Sequence, residues 1–237
     1  MKERLSLLFF LASKFTLLFT KTIEIKIIIS YNNASENKNQ GANGLKLVLA
    51  TNNEHKVREF KEILGDYFDE MITLKEANIT HETVEDGETF RENALKKARE
   101  ITEITNLPAL ADDSGLCVLA LNGEPGVMSA RYASTNDGNA SDQANRDLLL
   151  KNMQGITDRR AYFACAIALT MPDGTSYETE GKFWGEIGFE EIGENGFGYD
   201  NLFFVPEYNM TSAQMSPEQK NSMSHRGKAL RELTKLL

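Results

Sequence analysis

LKLVLATNNEHKVREFKEIL, residues 45–64, is the stretch that decides the fold class. Leu45 to Ala50 is an apolar run of strand length, and from Asn53 to Leu64 the side chains Val57, Phe60, Ile63 and Leu64 recur at helical spacing. The unit is strand, loop, helix. Thr51, Asn52, Asn53, Glu54, His55 and Lys56 fill the junction, where short polar side chains and the partnerless amides of a helix start can wrap a phosphate and Lys56 can neutralise it. Asn52 or Asn53 would serve equally as a plain helix cap. No G-x-x-x-x-G-K-[ST] occurs in the chain, which argues against P-loop ATPases and kinases.

Outward from that unit, Glu88 to Ile104 reads as a second helix carrying Phe90, Ala94, Leu95, Ala98, Ile101 and Ile104. Pro108 halts it, and Ala109 to Ala111 enters a buried strand. Ser141 caps a third helix running to Met153. Tyr162 to Met171 is a strand, Pro172-Asp173-Gly174 a hairpin turn, and Ser176 to Trp184 the returning strand. Leu202 to Val205 gives another strand, and Pro217 to Leu236 a last helix carrying Ala229, Leu230 and Leu233. Helices alternate with strands early and hairpins dominate the middle. That order predicts an α/β fold around a mixed, strongly curved sheet, a single domain over residues 45–237 with two lobes flanking a cleft.

Residues 1–44 read differently. Lys2 and Arg4 precede the apolar run Leu5 to Phe19, the shape of a secretory signal, but Lys14 interrupts it and no small-residue cleavage site follows promptly. No unbroken span approaches the ~20 residues that a membrane helix needs. A β-branched run, IEIKIIIS, leads into a polar, Asn- and Ser-rich linker from Tyr31 to Gly44. Residues 1–44 are therefore expected to be an N-terminal appendage arising from an upstream start codon.

The chain of 237 residues, 41% hydrophobic and 26% charged, has length for one large domain or two small ones. Its formal charge of -9 repels nucleic-acid backbones and acidic membrane surfaces, so neither polymeric DNA or RNA nor a membrane is an expected partner. A small polyanion remains open to it where local lysines and a divalent cation reverse the sign inside a cleft. Only Cys117 and Cys165 occur, each in an apolar stretch, which argues against a disulfide framework or a cysteine zinc site and fits a reducing cytoplasm.

Three further segments carry chemistry. In ADDSGL, residues 111–116, two adjacent carboxylates at a strand end, with Gly115 allowing a close turn, suit a hard divalent cation and a proton acceptor for water. Asp-Ser-Gly is also ordinary turn chemistry. GENGFGYD, residues 193–200, can bring backbone close to a flat ligand, with Phe197 or Tyr199 against a base; both rings could equally plug the core. In residues 211–228, Lys220, His225 and Arg226 lie close together after Pro217, a cation cluster at a helix start that suits a polyphosphate.

Together with TFRENALKKA, these segments stand in the order and spacing of the inosine triphosphate pyrophosphatase (Ham-type) family, which the chain resembles from about Leu45 to its C terminus. The resemblance implies hydrolysis of non-standard purine nucleoside triphosphates (ITP, dITP and XTP) to monophosphate and pyrophosphate. It also implies magnesium dependence, an elongated two-lobed fold and a homodimer. Residue by residue, it makes Thr51, Asn52, Asn53, Glu54, His55 and Lys56 the phosphate loop. Asp113 becomes the metal-binding proton acceptor, with Ser114 a neighbouring substrate contact. Phe197, Gly198, Tyr199 and Asp200 become the base-side loop, and Lys220, His225 and Arg226 the C-terminal contacts. The family's second metal-linked glutamate is displaced here: Val84 stands at its position, and Glu85 or Glu82 would have to serve. Two other readings are a Maf-type nucleotide pyrophosphatase acting on pyrimidine substrates and a non-catalytic nucleotide sensor.

Mass spectrometry of the natural protein checks the reading of residues 1–44. A mature chain that begins near residue 45 is expected, and one that begins at Met1 contradicts the start-codon explanation.

Overall fold

The computed structural model describes residues 46–136 and 138–237. The appendage and linker read for residues 1–44 lie outside the described residues. Within them the chain forms an α/β domain on one seven-stranded, curled mixed sheet. The strands are β1 (Lys46–Leu49), β2 (Glu70–Thr73), β3 (Ala109–Val118), β4 (Arg160–Thr170), β5 (Ser176–Ile187), β6 (Phe203–Val205) and β7 (Met210–Thr211). Their order is β2-β1-β3-β4-β5-β6-β7. β1 is parallel to both β2 and β3, and every later pairing is antiparallel.

The helices are α1 (Glu54–Leu64), α2 (Phe90–Thr105), α3 (Asp142–Asn152), α4 (Pro217–Met223) and α5 (His225–Thr234). Each start carries a local reason. The Asn53 side chain accepts from the amides of His55 and Lys56, Thr89 forms a reciprocal capping box with Glu92, and Ser141 accepts from the amide of Ala144.

Alternation along the strands sends odd and even residues to opposite faces. Leu47, Leu49, Leu110 and Ile167 join Phe60, Leu64, Leu230 and Leu233 beneath α1 and α5. Val48, Ala50, Ala109 and Ala111 pack with Ala94, Ala98 and Ile101 of α2 on the other side. A third cluster, built on Leu116, Val118, Phe163, Phe183 and Phe203, continues the first face toward the far end of the sheet. Two apolar lobes thus share one face, and Asp112 and Ser114 occupy the stretch of β3 between them.

Three expectations from the sequence need correction. The ADDSG segment is no strand-end turn: β3 runs straight through it to Val118, and Gly115 is needed because the Ser129 hydroxyl and the Gly126 carbonyl sit where a Cβ would go. The last helix is two helices, broken at Ser224, whose ψ of 155° leaves the helical region while its hydroxyl caps Gly227. The structure adds the short strands β2 and β7, both too brief for alternation to register in the sequence.

At Gly181 on β5 the α5 backbone lies close to the sheet: a Cβ there would overlap the carbonyl of His225 and approach the Ala229 amide to 2.7 Å. Gly181→Ala is expected to destabilise the fold by about 1–3 kcal/mol, the usual cost of overpacking. Denaturant titration reads this as a lower midpoint; an unchanged midpoint contradicts the packing described.

Candidate active site

Side chains from α1, α2 and α5 meet at the middle of β3. From the sequence-nearest side, Lys56 on the first turn of α1 reaches Asp112, with its Nζ 2.9 Å from the carboxylate. From the C-terminal side, Arg226 at the start of α5 donates from Nε to Asp112 (3.0 Å), from Nη1 to Glu59 on α1 (3.0 Å) and from Nη2 to the Ser114 hydroxyl (3.1 Å). Arg226 is only 2% exposed, so its three nitrogens bind the protein itself. Burial pushes the Asp112 carboxyl up, but the charges of Lys56, Arg226 and Lys97 outweigh it and hold that group well below the usual carboxylate range.

Asp113 points to the other face. It accepts from Asn93 Nδ2 at 3.0 Å, from the Ser114 amide at 3.0 Å, and lies 3.7 Å from the ammonium of Lys97. Lys97 in turn holds Glu85 at 2.9 Å. The loop that carries Glu85 is laced to α2: Asn93 Oδ1 accepts from the Gly87 amide, Lys96 pairs with Asp86, and His81 and Thr83 both bond Glu100. Arg131 Nη2 donates to the Glu85 carbonyl at 3.0 Å and fixes the loop from the opposite side. Burial raises the Asp113 pKa above the ordinary range; Lys97 opposes this and the Glu85 charge adds to it. Burial pulls Lys97 down, yet Asp113, Asp112 and Glu85 together keep it raised, so it stays charged.

The adjacent aspartates therefore do not form one carboxylate pair, as the sequence suggested. Period-two alternation separates them, and Asp113 is paired across Lys97 with Glu85 instead. Glu82 is exposed and Val84 faces solvent, which leaves Glu85 as the acid nearest the Asp113 side. Among the described residues no group of three or more His, Cys, Asp or Glu side chains could cage a metal. Magnesium takes hard oxygen donors, and the carboxylates of Asp113 and Glu85, both beside the Lys97 ammonium, are donors of that kind.

The glycine loop closes the other side. Asp200 is buried and accepts from the Phe197 amide (2.9 Å), the Ser212 hydroxyl (2.7 Å) and Lys220 Nζ (2.5 Å). Gly196 has a φ of +82° and lies so close to the Asp200 carboxylate that no side chain fits, which is why the loop needs glycine there. The two aromatics separate in role. Tyr199 is core, with its hydroxyl donated to the Ser129 carbonyl at 2.9 Å. Phe197 remains 38% exposed, stacks on His55 with centroids 5.4 Å apart, and has the Lys220 ammonium 5.4 Å from its ring centre. Gly198 is held at both ends of its peptide unit by Asp142 and Arg146.

His225 is buried against Phe163, centroids 5.1 Å apart, and its Nδ1 has no partner among the described residues. Burial, with Arg226 and Lys220 nearby, lowers its pKa well below the ordinary value, so the ring is neutral. Thr51 and Asn53 serve the turn into α1, Thr51 Oγ1 accepting from the Asn53 amide. Asn52 and Glu54 are exposed; with Thr51 they border a groove of about 630 Å³ on the outer flank of α1, walled by Arg58, Lys61, Glu62 and Lys75. None of Asp113, Glu85 or Arg226 lines that groove.

Sequence reasoning missed Asn93, Lys97 and Glu59. The first two sit one helical turn apart in ENALKKA, and a lysine among buried alanines was the available signal. Glu59 carried none, being one of several acids on α1.

Comparison with known proteins places the chain in a family. The Ham1 family profile matches residues 47–236. The chain is 49% identical over 187 residues to the dITP/XTP pyrophosphatase of Desulfotalea psychrophila, covering 79% of this chain and 82% of that protein. It is 47% identical over 194 residues to the dITP/XTP pyrophosphatase of Clostridium tetani, covering 81% and 95%. Among solved structures, a HAM1 protein from Coxiella burnetii superposes with a TM-score of 0.74 at 42% identity, covering 81% of this chain and 98% of that one. The chain is a member of the Ham1 family.

Proposed function

We propose that this protein hydrolyses non-standard purine nucleoside triphosphates, ITP, dITP and XTP, to the nucleoside monophosphate and pyrophosphate. The observation that carries the reading is Asp113: a buried carboxylate of raised proton affinity, facing Glu85 across a charged lysine, one residue from the anchor of Lys56. The activity of the dITP/XTP pyrophosphatases with nearly half their residues in common supports the substrate class.

In this reaction water attacks the α-phosphorus in line. The new bond joins water oxygen to phosphorus, the bond to the bridging oxygen of the β-phosphate breaks, and Asp113 takes the proton. Lys56 and Lys220 neutralise charge on the departing pyrophosphate, a contribution that grows as the charge develops. Asp113 and Glu85 would hold magnesium, which when bound supplies charge neutralisation on phosphate oxygens. Lys97, fixed between the two acids, holds their carboxylates apart and in place. On the base side, Phe197 offers a ring face beside His55.

A homodimer and a cytoplasmic location belong to the same reading. The half-exposed Trp184, leaning on Tyr162, and the exposed Phe189 are apolar surface that a second copy would cover, and both cysteines are free thiols. No helix among the described residues is long and apolar enough to cross a membrane. No observation favours the Maf-type or sensor alternatives.

Pyrophosphate release with magnesium, measured over ITP, dITP, XTP, ATP, GTP and dTTP, tests the proposal. Preference for the first three is expected; preference for dTTP, or no turnover at all, contradicts it. Asp113→Asn should lower turnover roughly 100- to 10,000-fold, the span of one act of general-base catalysis. Wild-type turnover from that variant removes Asp113 from the mechanism. Glu85→Gln should need more magnesium for half-maximal rate, and an unchanged magnesium titration excludes Glu85 as a ligand.

A further inference from the structure

Asp112 takes no part in the chemistry assigned to Asp113, because β3 turns its side chain to the opposite face. Its carboxylate has no exposed surface and meets two cations, Lys56 at 2.9 Å and Arg226 at 3.0 Å. Those cations arrive on helices from the two ends of the domain. Arg226 then continues to Glu59 and Ser114, so β3, α1 and α5 are tied at one point. A buried carboxylate is tolerated only when paired, and a lysine side chain with four rotors is a poor phosphate ligand unless something holds it in advance. The Lys56 ammonium, 2.9 Å from Asp112, carries three donors that phosphate oxygens can engage.

We propose that Asp112 is a positioning residue for triphosphate binding, its carboxylate bridging Lys56 and Arg226 so that the phosphate-facing lysine and the C-terminal helix keep one arrangement before substrate arrives. The inference rests on the pyrophosphatase reading and deepens it. Asp112 touches no substrate atom and accepts no proton. Its neighbour Asp113 performs the chemistry on the other face, and the two jobs are divided by the pleat of a single strand.

A double-mutant cycle tests this, with KM for dITP measured on Asp112→Asn, Lys56→Ala and the combined variant, each rate scaled to the folded fraction from thermal melting. Asp112→Asn is expected to raise KM about tenfold in the wild-type background and less than about twofold when Lys56 is already alanine, the non-additivity of groups that act through one another. Turnover per folded molecule should change far less than KM. Equal rises in both backgrounds overturn the proposal, as does an unchanged KM with only fewer folded molecules, which is what a purely structural residue gives. Should Asp112→Asn fail to fold, the wild-type protein still answers through the nitrogen-15 spectrum of its lysine ammonium groups, with Lys56→Ala identifying the signal. A slowly exchanging Lys56 ammonium in the ligand-free protein is expected, and a freely exchanging one overturns the proposal. That spectrum needs no substrate, so its outcome is separate from any failure of dITP hydrolysis.

Discussion

The structure depends on one buried ion cluster, in which the carboxylate of Asp112 is shared between Lys56 and Arg226. Removing ions from water is costly, and this cluster offsets the cost by pairing each charged group: Arg226 donates three hydrogen bonds, and the Asp112 carboxylate has a cation near each oxygen. The consequence is geometric. The helix after the first strand and the final helix, far apart in sequence, pack on the same sheet face, and each sends a cation to that carboxylate. Gly181 lets α5 come close enough to do so.

Alternation in β3 then separates two kinds of charge. One face carries Asp112 with its cations, surrounded by the Leu, Phe and Ile side chains of the two lobes. The other carries Asp113 with Glu85, Lys97 and Asn93 over a cluster made largely of alanines, whose small volume lets α2 sit close to the sheet. At 3.7 Å, Lys97 leaves Asp113 with a raised proton affinity, whereas Asp112, in contact with two cations, is held ionised.

Much of this was legible in the sequence, and the gaps have physical causes. Helical spacing after LKLVLA and the Asn53 cap gave α1 nearly to the residue, and the Pro172 turn gave the β4–β5 hairpin. Asp112, Asp113, Ser114 and Gly115 looked like a turn because local preference favours one there; tertiary partners for every polar side chain overrode it. The break at Ser224 was also local chemistry, a serine cap three residues before Gly227, but the apolar spacing on either side concealed it. Which of two aromatics, Phe197 or Tyr199, stays open to a ligand depends on Ser129, seventy residues away, and no spacing rule carries that information.

The central claim is that the inner flank of α1, β3, the glycine loop and the start of α5 form one metal-assisted triphosphate site. Its most direct test is a crystal structure of the protein soaked with manganese and a non-hydrolysable dITP analogue, with the ion located by anomalous scattering. The account predicts an ion bound by Asp113, with the phosphate chain spanning Lys56 and Lys220. A triphosphate seated instead in the outer groove beside Arg58 and Lys61, with no ion at Asp113, would contradict it.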